Sequence, residues 1–199
     1  MNIFFSNNIN SKKKEIIISE QENVHLIKVL RKKVGSQINV TDGKGHLYNC
    51  SLIESDKNKS ILKIKNLVEF KNESPKLKIA IALTKNKDRF EWFLEKATEI
   101  GVYEITPLVC RYSERNKLNL ERSIKILISS MKQSLRYSLP VINKPVDFKD
   151  YLKSNSENNI DSYIATCLVA DDNLLKEKLI KGNNSLIMIG PEGGFSQNE

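Results

Sequence analysis

The chain beyond residue 76 alternates between apolar, strand-like runs and segments with helical spacing of apolar residues. This alternation constrains the fold more than any other feature of the sequence. Strand-like runs occupy 77–83, 104–109, 162–168 and 185–189, and helix-like segments occupy 89–100, 118–135 and 174–181. Such alternation predicts a mainly parallel sheet with helices on both faces. Ligands of these sheets gather at the carboxyl ends of the strands, so a binding site is expected there.

The last predicted strand, 185–189, runs into a glycine-rich turn. The strand reads SLIMI and is predicted to be buried on both faces, and Gly190, Pro191, Gly193 and Gly194 follow it. Glycine lets backbone N–H groups approach a ligand closely, while Pro191 fixes its own φ and restricts Gly190. The turn is therefore consistent with a ligand-binding backbone cradle, and equally with an ordinary loop after a core strand.

The first 70 residues are rich in strand patterns and contain one helical segment. Ser19 followed by Glu22 has the spacing of a capping box and predicts a helix from there to about Arg31. Strand patterns occupy 16–18, 37–41, 46–53 and 61–67, with a hairpin signal at Asp42-Gly43. We predict a compact β-barrel at 1–70, a polar linker at 71–76 and a second domain at 76–199. Residues 153–160 are predicted to be a surface loop.

Positive charge is concentrated in two parts of the chain. The net charge is +8, with a balance of +5 over residues 1–70 and +6 over 111–144, against −4 over 145–199. This distribution suits an anionic partner such as nucleic acid, although abundant lysine also explains it. His25, Arg31, Lys32 and Lys33 lie on or just beyond the first predicted helix, where the cations suit either a solvated helix end or phosphate contacts.

Several classes of protein are not favoured. No apolar run is long enough to span a membrane, and the first residues place their apolar run before the lysines, the reverse of a signal peptide, so we predict a cytoplasmic location. The three cysteines, Cys50, Cys110 and Cys167, are far apart and read as buried thiols. No metal site is predicted, because Asp171-Asp172 reads as a solvated pair. No P-loop or dinucleotide-binding glycine motif is present.

Four groups of residues, in order along nearly the whole chain, resemble the SPOUT-class methyltransferases that modify N3 of a uridine in 16S rRNA of the small ribosomal subunit. The matching positions are His25-x-x-x-Val29-Leu30-Arg31 with Gly35 and Asp42-Gly43-x-Gly45; Lys85, Lys96 to Val102 and Pro107; Gln133-x-x-Arg136-x-x-x-Pro140; and Ile189 to Ser196 with Glu199.

The resemblance implies an α/β protein with an N-terminal PUA-like β-barrel, which helps to bind RNA, followed by a SPOUT methyltransferase domain with a trefoil knot. It also implies S-adenosylmethionine as the methyl donor and a homodimer with the site near the subunit interface. The implied cofactor positions are Thr166, Cys167, Leu168, Ile189, Gly190, Pro191, Glu192, Gly193 and Gly194. The candidates for RNA contact are His25, Arg31, Lys33, Gln133 and Arg136.

Two departures from the family pattern affect these expectations. The family carries an arginine just after the strand that contains Pro107, whereas this chain has Tyr112 there and Arg111 one position earlier. Family members also continue beyond the position of Glu199 with a segment that threads the knot and forms one wall of the cofactor pocket. From the 199 residues we therefore expect an incomplete knot and weak or absent cofactor binding, which tight binding in calorimetry would refute.

The resemblance leaves the catalytic group open. Uridine N3 is a poor nucleophile until it loses its proton, so the enzyme must hold the base and help to remove that proton. Glu192 is the one carboxylate within the glycine-rich turn; it is a candidate for this role or, alternatively, an acceptor of backbone N–H bonds that holds the turn. Two other functions stay open, a non-enzymatic RNA-binding remnant and a SPOUT enzyme for another RNA base.

Overall fold

The computed structural model describes residues 2–70, 75–155, 160–166 and 174–199. The chain divides into two compact units, Met1–Asn72 with Met131–Leu139 and Glu73–Ser130 with Pro140–Glu199. From the sequence, the whole of 76–199 is expected to form the second domain. The structure instead groups Met131–Leu139 with the first unit.

The first unit is built on a six-stranded sheet in the order β1-β4-β5-β6-β3-β2. Its strands are β1 (Ile3–Phe5), β2 (Ile9–Asn10), β3 (Glu15–Ser19), β4 (Gln37–Thr41), β5 (His46–Ser55) and β6 (Lys59–Glu69). β1 pairs with β4 in parallel, and the other neighbours are antiparallel. Large apolar side chains fill one core, including Phe4, Ile16, Leu26, Leu52 and Leu62.

The helix of this unit differs from its prediction in how it begins and ends. α1 (Glu20–Val24) continues as a π-helical segment, His25–Val29, so the helical region ends before Arg31. Ser19 is the N-cap residue but makes no side-chain capping bond, so the predicted capping box is wrong. The Glu22 carboxylate instead accepts the N–H of Phe5 at 3.3 Å and pairs with the Lys132 ammonium. Long-range partners therefore replace the local cap.

The segment Met131–Leu139 is attached to the hairpin between β4 and β5. The carbonyl of Tyr137 accepts the Gly45 N–H at 2.9 Å and the Thr41 hydroxyl at 3.1 Å, and the Leu139 N–H donates to the Gly43 carbonyl. The Tyr137 ring stacks on Phe70 with 4.3 Å between ring centroids. These contacts explain why the segment belongs to the first unit.

The second unit is a parallel sheet in the order β10-β8-β7-β12-β11, with β9 beside β8. Its strands are β7 (Leu77–Ala82), β8 (Glu104–Val109), β9 (Val141–Ile142), β10 (Val146–Asp147), β11 (Asp161–Ala165) and β12 (Ser185–Ile189). The helices are α2 (Lys87–Ile100), α3 (Leu120–Gln133), α4 (Phe148–Asn155) and α5 (Leu175–Lys178). Every pair in this sheet is parallel, as the alternation predicts.

Helix α4 packs against the core of the second unit. The prediction of a loop over 153–160 is wrong at its start, because α4 extends to Asn155; Phe148 and Tyr151 are three residues apart on one helical face and both are buried.

Cys50 in the first unit and Cys110 in the second are buried, as predicted, and burial raises the pKa of both thiols to about 12. Both are therefore unreactive near neutral pH. Cys167 lies outside the described residues.

The described ranges contain neither a helix of membrane-spanning type nor a group of side chains placed to bind a metal. None of the helices in residues 2–70, 75–155, 160–166 and 174–199 is long and apolar enough to cross a membrane. In the same ranges, no group of three His, Cys, Asp or Glu side chains is placed to hold a metal ion. Asp171 and Asp172 lie outside them.

Candidate functional site

A cavity of about 860 Å³ opens at the carboxyl ends of β11 and β12 in the second unit. One side is the glycine turn, which we define as Gly190–Gly194, and the other side comes from β11 and the region of α5. Parallel pairing places Ala165 beside Ile189, so both strands end at the same edge of the sheet. The cavity therefore lies where ligands of parallel α/β sheets are expected to bind.

The glycine turn is compact and anchored to the core. The Gly194 N–H donates to the Pro191 carbonyl at 2.8 Å, and Gly194 has φ +72°, a conformation that favours glycine. A Cβ on Gly190 would lie 3.1 Å from the Phe195 ring and 3.2 Å from the carbonyl carbon of Gly194. The Phe195 ring in turn packs against the buried Phe148, with 4.9 Å between centroids. Gly190 thus leaves the space into which the turn folds.

Glu192 links this turn to the neighbouring strand β7. One oxygen of its carboxylate accepts the backbone N–H of Lys85, three residues beyond the end of β7, at 3.1 Å. The Lys85 ammonium pairs with the Glu114 carboxylate at 2.9 Å, and this hydrogen bond raises the pKa of Lys85. The Glu192 carboxylate therefore accepts a backbone N–H bond, one of the two roles considered for it from the sequence.

A second carboxylate, Glu199, holds the chain beyond the turn. One of its oxygens accepts the Arg111 N–H at 2.8 Å, and the other accepts the N–H and hydroxyl of Ser196 at 3.0 and 2.8 Å. Burial alone raises the pKa of Glu199, but the hydrogen bonds from Ser196 and Arg111 outweigh it and leave the pKa below the ordinary value of 4.5. Glu192 and Glu199 thus attach the glycine-rich segment to the regions that follow β7 and β8.

Tyr112, the residue that departs from the family pattern, lies against the glycine turn. A Cβ on Gly193 would be 3.2 Å from the Cβ of Tyr112, so the glycine permits this close approach. Tyr112 is 52% exposed. The nearby Arg115 guanidinium donates to the carbonyls of Thr84 and Lys117 at 3.2 and 3.3 Å.

The cavity combines apolar walls with a polar edge. Ile164, Leu174 and Leu175 contribute apolar surface, and each is more than a third exposed. Among the described residues that line the cavity, Glu192 is the one acidic side chain and Lys178 the one basic side chain. Such a site suits a ligand that has an apolar ring at one end and polar or charged groups at the other.

The cofactor positions predicted from the sequence are brought together as far as they are described. Those that line the cavity are Thr166, Ile189, Gly190, Pro191, Glu192, Gly193 and Gly194. Cys167 and Leu168 lie outside the described residues. Cofactor binding at these positions stays a prediction.

The predicted RNA contacts all fall in the first unit. His25, Arg31, Lys33 and Gln133 are exposed, and Arg136 is half-buried. Arg31 has φ +49° just beyond the π-helical segment, and the Lys33 N–H donates to the Ser36 hydroxyl. Gln133 and Arg136 belong to this unit because of the packing of Met131–Leu139. Their role in RNA binding also stays a prediction.

Sequence reasoning missed Lys85, Leu174 and Leu175 as parts of the site. Lys85 contributes a backbone N–H, which no side-chain pattern reveals. The two leucines have the same apolar signature as core residues, so only their exposure beside the cavity distinguishes them.

Comparison with known proteins identifies the class. Residues 72–199 match the family described as RNA methyltransferase domain, and residues 18–65 match RNA methyltransferase PUA domain. The fold is thus an N-terminal PUA-like domain followed by an α/β methyltransferase domain, as the sequence predicts.

Two named relatives show which members of this family the chain resembles. Ribosomal RNA small subunit methyltransferase E of Mesomycoplasma hyopneumoniae is 32% identical over 198 residues, which cover 96% of this chain and 82% of that protein. The protein of the same name in Rickettsia conorii is 29% identical over 187 residues, covering 93% of this chain and 75% of that protein. The chain belongs to the RNA methyltransferase family whose named members include ribosomal RNA small subunit methyltransferase E.

Solved structures agree on the fold. A probable rRNA-methyltransferase from Porphyromonas gingivalis has a TM-score of 0.86 and 29% identity, and the match covers 100% of this chain and 83% of that one. The ribosomal RNA small subunit methyltransferase E of Neisseria gonorrhoeae, solved bound to S-adenosyl methionine, has a TM-score of 0.82 at 22% identity, with 100% and 82% covered. At that identity the second likeness shows the fold alone.

Proposed function

We propose that this protein transfers a methyl group from S-adenosylmethionine to N3 of a uridine in 16S rRNA of the small ribosomal subunit. Family membership supports rRNA methylation, and the names of the relatives support the small-subunit substrate. The observation that carries the proposal is the cavity on the glycine turn, at the carboxyl ends of β11 and β12. The choice of uridine N3 rests on the resemblance of the four motifs.

The residues around the cavity fit this cofactor. Apolar surface from Ile164, Leu174 and Leu175 suits the adenine ring, and the exposed backbone of the glycine turn offers polar groups. A Cβ on Gly194 would meet nothing within 4 Å, so the turn is open at that point. The Glu192 carboxylate favours a positively charged ligand. The cofactor supplies a methyl group that is already activated on a sulfonium.

Within this proposal the protein acts mainly by positioning. Glu192 and Glu199 fix the glycine-rich segment by hydrogen bonds to the Lys85 and Arg111 N–H groups, and a cavity of fixed shape orders its ligand before reaction. We assign Glu192 to holding the turn, because its carboxylate already accepts a backbone hydrogen bond. The group that takes the N3 proton is not assigned.

The proposed partner is the RNA of the small subunit, bound in part by the PUA-like unit. The cations of that unit suit phosphate groups, which dominate the affinity of proteins for nucleic acids. A substrate of this kind places the protein in the cytoplasm. A homodimer is proposed on the resemblance to the family.

The test is methyl transfer to small-subunit RNA that lacks the modification. The protein is incubated with this RNA and an excess of isotopically labelled S-adenosylmethionine, which keeps the test independent of cofactor affinity. The nucleosides are then separated and weighed. We expect label in N3-methyluridine. Label in another nucleoside would favour a SPOUT enzyme of different specificity, and RNA binding without label would favour a non-enzymatic RNA-binding protein.

A further inference from the structure

The ring of Tyr112 lies against the glycine turn from outside the cavity. A Cβ built on Gly193 would lie 3.2, 3.6 and 3.7 Å from the Cβ, Cγ and Cδ2 atoms of Tyr112, so one edge of the ring covers this glycine. Gly193 itself lines the cavity, whereas Tyr112 does not. A single glycine of the turn therefore has both the cavity and the tyrosine ring as neighbours.

The order of the strands places Tyr112 and the cavity on different sides of β12. This part of the sheet runs β8-β7-β12-β11, and Tyr112 lies three residues beyond the end of β8 at Val109. The cavity instead opens toward β11 and α5. A methyl group passes to an acceptor atom that lies within about 3–3.5 Å of it. With the methyl donor in the cavity, the acceptor base must reach the turn from a side that the donor leaves open, and Tyr112 lies on such a side.

The loop that carries Tyr112 is fixed by hydrogen bonds. The Ser113 N–H donates to the Cys110 carbonyl at 3.0 Å, which closes a turn with Arg111 and Tyr112 at its centre. The Cys110 N–H donates to the Ser113 hydroxyl at 3.0 Å, and the Arg111 N–H donates to the Glu199 carboxylate at 2.8 Å. A surface that is ordered before its ligand arrives loses little conformational entropy when the ligand binds.

The ring of Tyr112 is available to a ligand. It is 52% exposed, and no other residue in the described part of the chain engages it by a hydrogen bond, a ring contact or a cation. The chain has six tyrosines, and each of the other five has such a partner. These partners are Asp42 for Tyr48, Lys76 for Tyr103, Phe70 for Tyr137, Thr106 for Tyr151 and Lys178 for Tyr163.

We propose that the ring of Tyr112 stacks on the target uridine and holds it beside the methyl donor. A base within an RNA stack must be extruded before an enzyme can act on it, and extruded bases stack on aromatic side chains. Tyrosine offers a large planar surface with only two side-chain torsions to fix. The inference rests on the proposed function for its target and extends that function to a residue that contacts the base.

Methyl transfer by variants of Tyr112 tests the stacking. The full chain is given small-subunit RNA that lacks the modification, with S-adenosylmethionine in excess. Tyr112→Leu keeps an apolar side chain but removes the planar ring, and it should lower kcat/KM for the RNA about ten-fold. Tyr112→Phe keeps the ring and should stay close to the wild type. Tyr112→Arg should also retain most of the activity, because a planar guanidinium stacks on bases.

Tyr103→Leu is the matched control. Tyr103 immediately precedes β8 and is 36% exposed, so the same substitution lies at the opposite end of the same strand. It should leave kcat/KM for the RNA unchanged. The KM for S-adenosylmethionine distinguishes stacking from a structural role. Because Tyr112 does not line the cavity, this KM should stay the same in Tyr112→Leu, whereas a ring that only shapes the turn would raise it on substitution.

A photochemical crosslink gives a measurement that does not depend on activity. Small-subunit RNA is transcribed with 5-iodouridine in place of uridine and is irradiated with the protein. The iodinated base then loses iodide and bonds to an aromatic ring that is stacked on it. We expect mass spectrometry of the crosslinked peptides to find Tyr112 among the attachment sites.

Wild-type kcat/KM in Tyr112→Leu, or a Tyr112→Phe variant as weak as Tyr112→Leu, would overturn the inference. Crosslinks that do not include Tyr112 would overturn it as well. Methyl transfer by the wild type separates this inference from the proposed function. Transfer to uridine N3 that is unaffected by Tyr112→Leu rejects only the stacking, whereas a crosslink at Tyr112 without transfer supports the stacking and rejects the proposed activity.

Discussion

The Glu192 carboxylate accepts the backbone N–H of Lys85 at 3.1 Å and so connects the glycine turn to the end of the neighbouring strand β7. This one contact joins two segments that are 107 residues apart in the chain. The same hydrogen bond gives Glu192, the acidic residue of the glycine-rich motif, a structural role. Variants of Glu192 distinguish this structural role from a role in proton transfer.

Glu192→Ala should weaken cofactor binding with little effect on folding. Loss of the acceptor leaves the Lys85 N–H without its partner and frees the turn, which costs about 1 kcal/mol, or roughly five-fold in affinity. Glu192→Gln keeps an oxygen acceptor for the Lys85 N–H but loses the charge, and it should bind the cofactor more tightly than Glu192→Ala and less tightly than the wild type. Titration calorimetry with S-adenosylmethionine measures both. If Glu192 were instead the proton acceptor, Glu192→Gln would abolish methyl transfer while binding persisted.

Gly190→Ala should disrupt the glycine turn. The new Cβ would lie 3.2 Å from the backbone carbon of Gly194, which cannot move without shifting the cavity wall. We expect cofactor binding to be lost. The control is Gly182→Ala, where a Cβ meets nothing within 4 Å but φ is +93°. It should lower stability by about 1–2 kcal/mol and leave cofactor affinity unchanged. Equal affinity of the two variants would contradict the assigned role of Gly190.

Glu199 should make the stability of the second unit depend on pH. Its folded-state pKa lies below the ordinary 4.5, so its ionised form stabilises the folded state above pH 4.5. This contribution disappears as pH falls through the lowered pKa. The stability difference between wild type and Glu199→Gln should therefore be present at neutral pH and shrink below pH 4.5. Urea unfolding at a series of pH values measures it, and a difference that grows on acidification would contradict the account.

Glu22→Ala should loosen Met131–Leu139 within the first unit. The variant loses the acceptor for the Phe5 N–H and the ion pair with Lys132, and this loss lowers the free energy of unfolding by about 1–2 kcal/mol. Hydrogen exchange should accelerate at the Arg136 and Leu139 N–H groups. Glu54→Ala is the matched control, since Glu54 is exposed on β5. Unchanged hydrogen exchange in Glu22→Ala would contradict this prediction. It would show that the stacking of Tyr137 on Phe70 is sufficient to hold Met131–Leu139 in place.

The longer strands of the second unit were predictable because they carry their own signal, whereas the two-residue strands β9 and β10 do not. β8 and β12 coincide with the predicted runs, since each is dominated by apolar residues, Ile105, Leu108 and Val109 in β8 and Leu186 to Ile189 in β12. The short strand β1 left no such signal, because three residues show no period. Because β1 was not predicted, nothing in the sequence indicated that the Glu22 carboxylate would accept the Phe5 N–H instead of capping α1.

The candidate site likewise has a part that could be predicted from the sequence and a part that could not. The glycine turn follows directly from the motif after β12, and the cavity beside it is lined by the predicted residues Gly190 and Glu192. The contacts that fix the turn could not be predicted, because Lys85 and Arg111 contribute only backbone N–H groups from distant parts of the chain. The expectations of an incomplete knot and of weak or absent cofactor binding stay predictions.

The most direct test of the central claim is a titration of the isotopically labelled protein with S-adenosylmethionine, followed by the amide signals of its glycines. If the glycine turn cradles the methyl donor, the signals of Gly190, Gly193 and Gly194 shift and saturate, while that of Gly182 stays in place. Signals of the turn that stay in place while those of residues elsewhere shift and saturate would contradict the account.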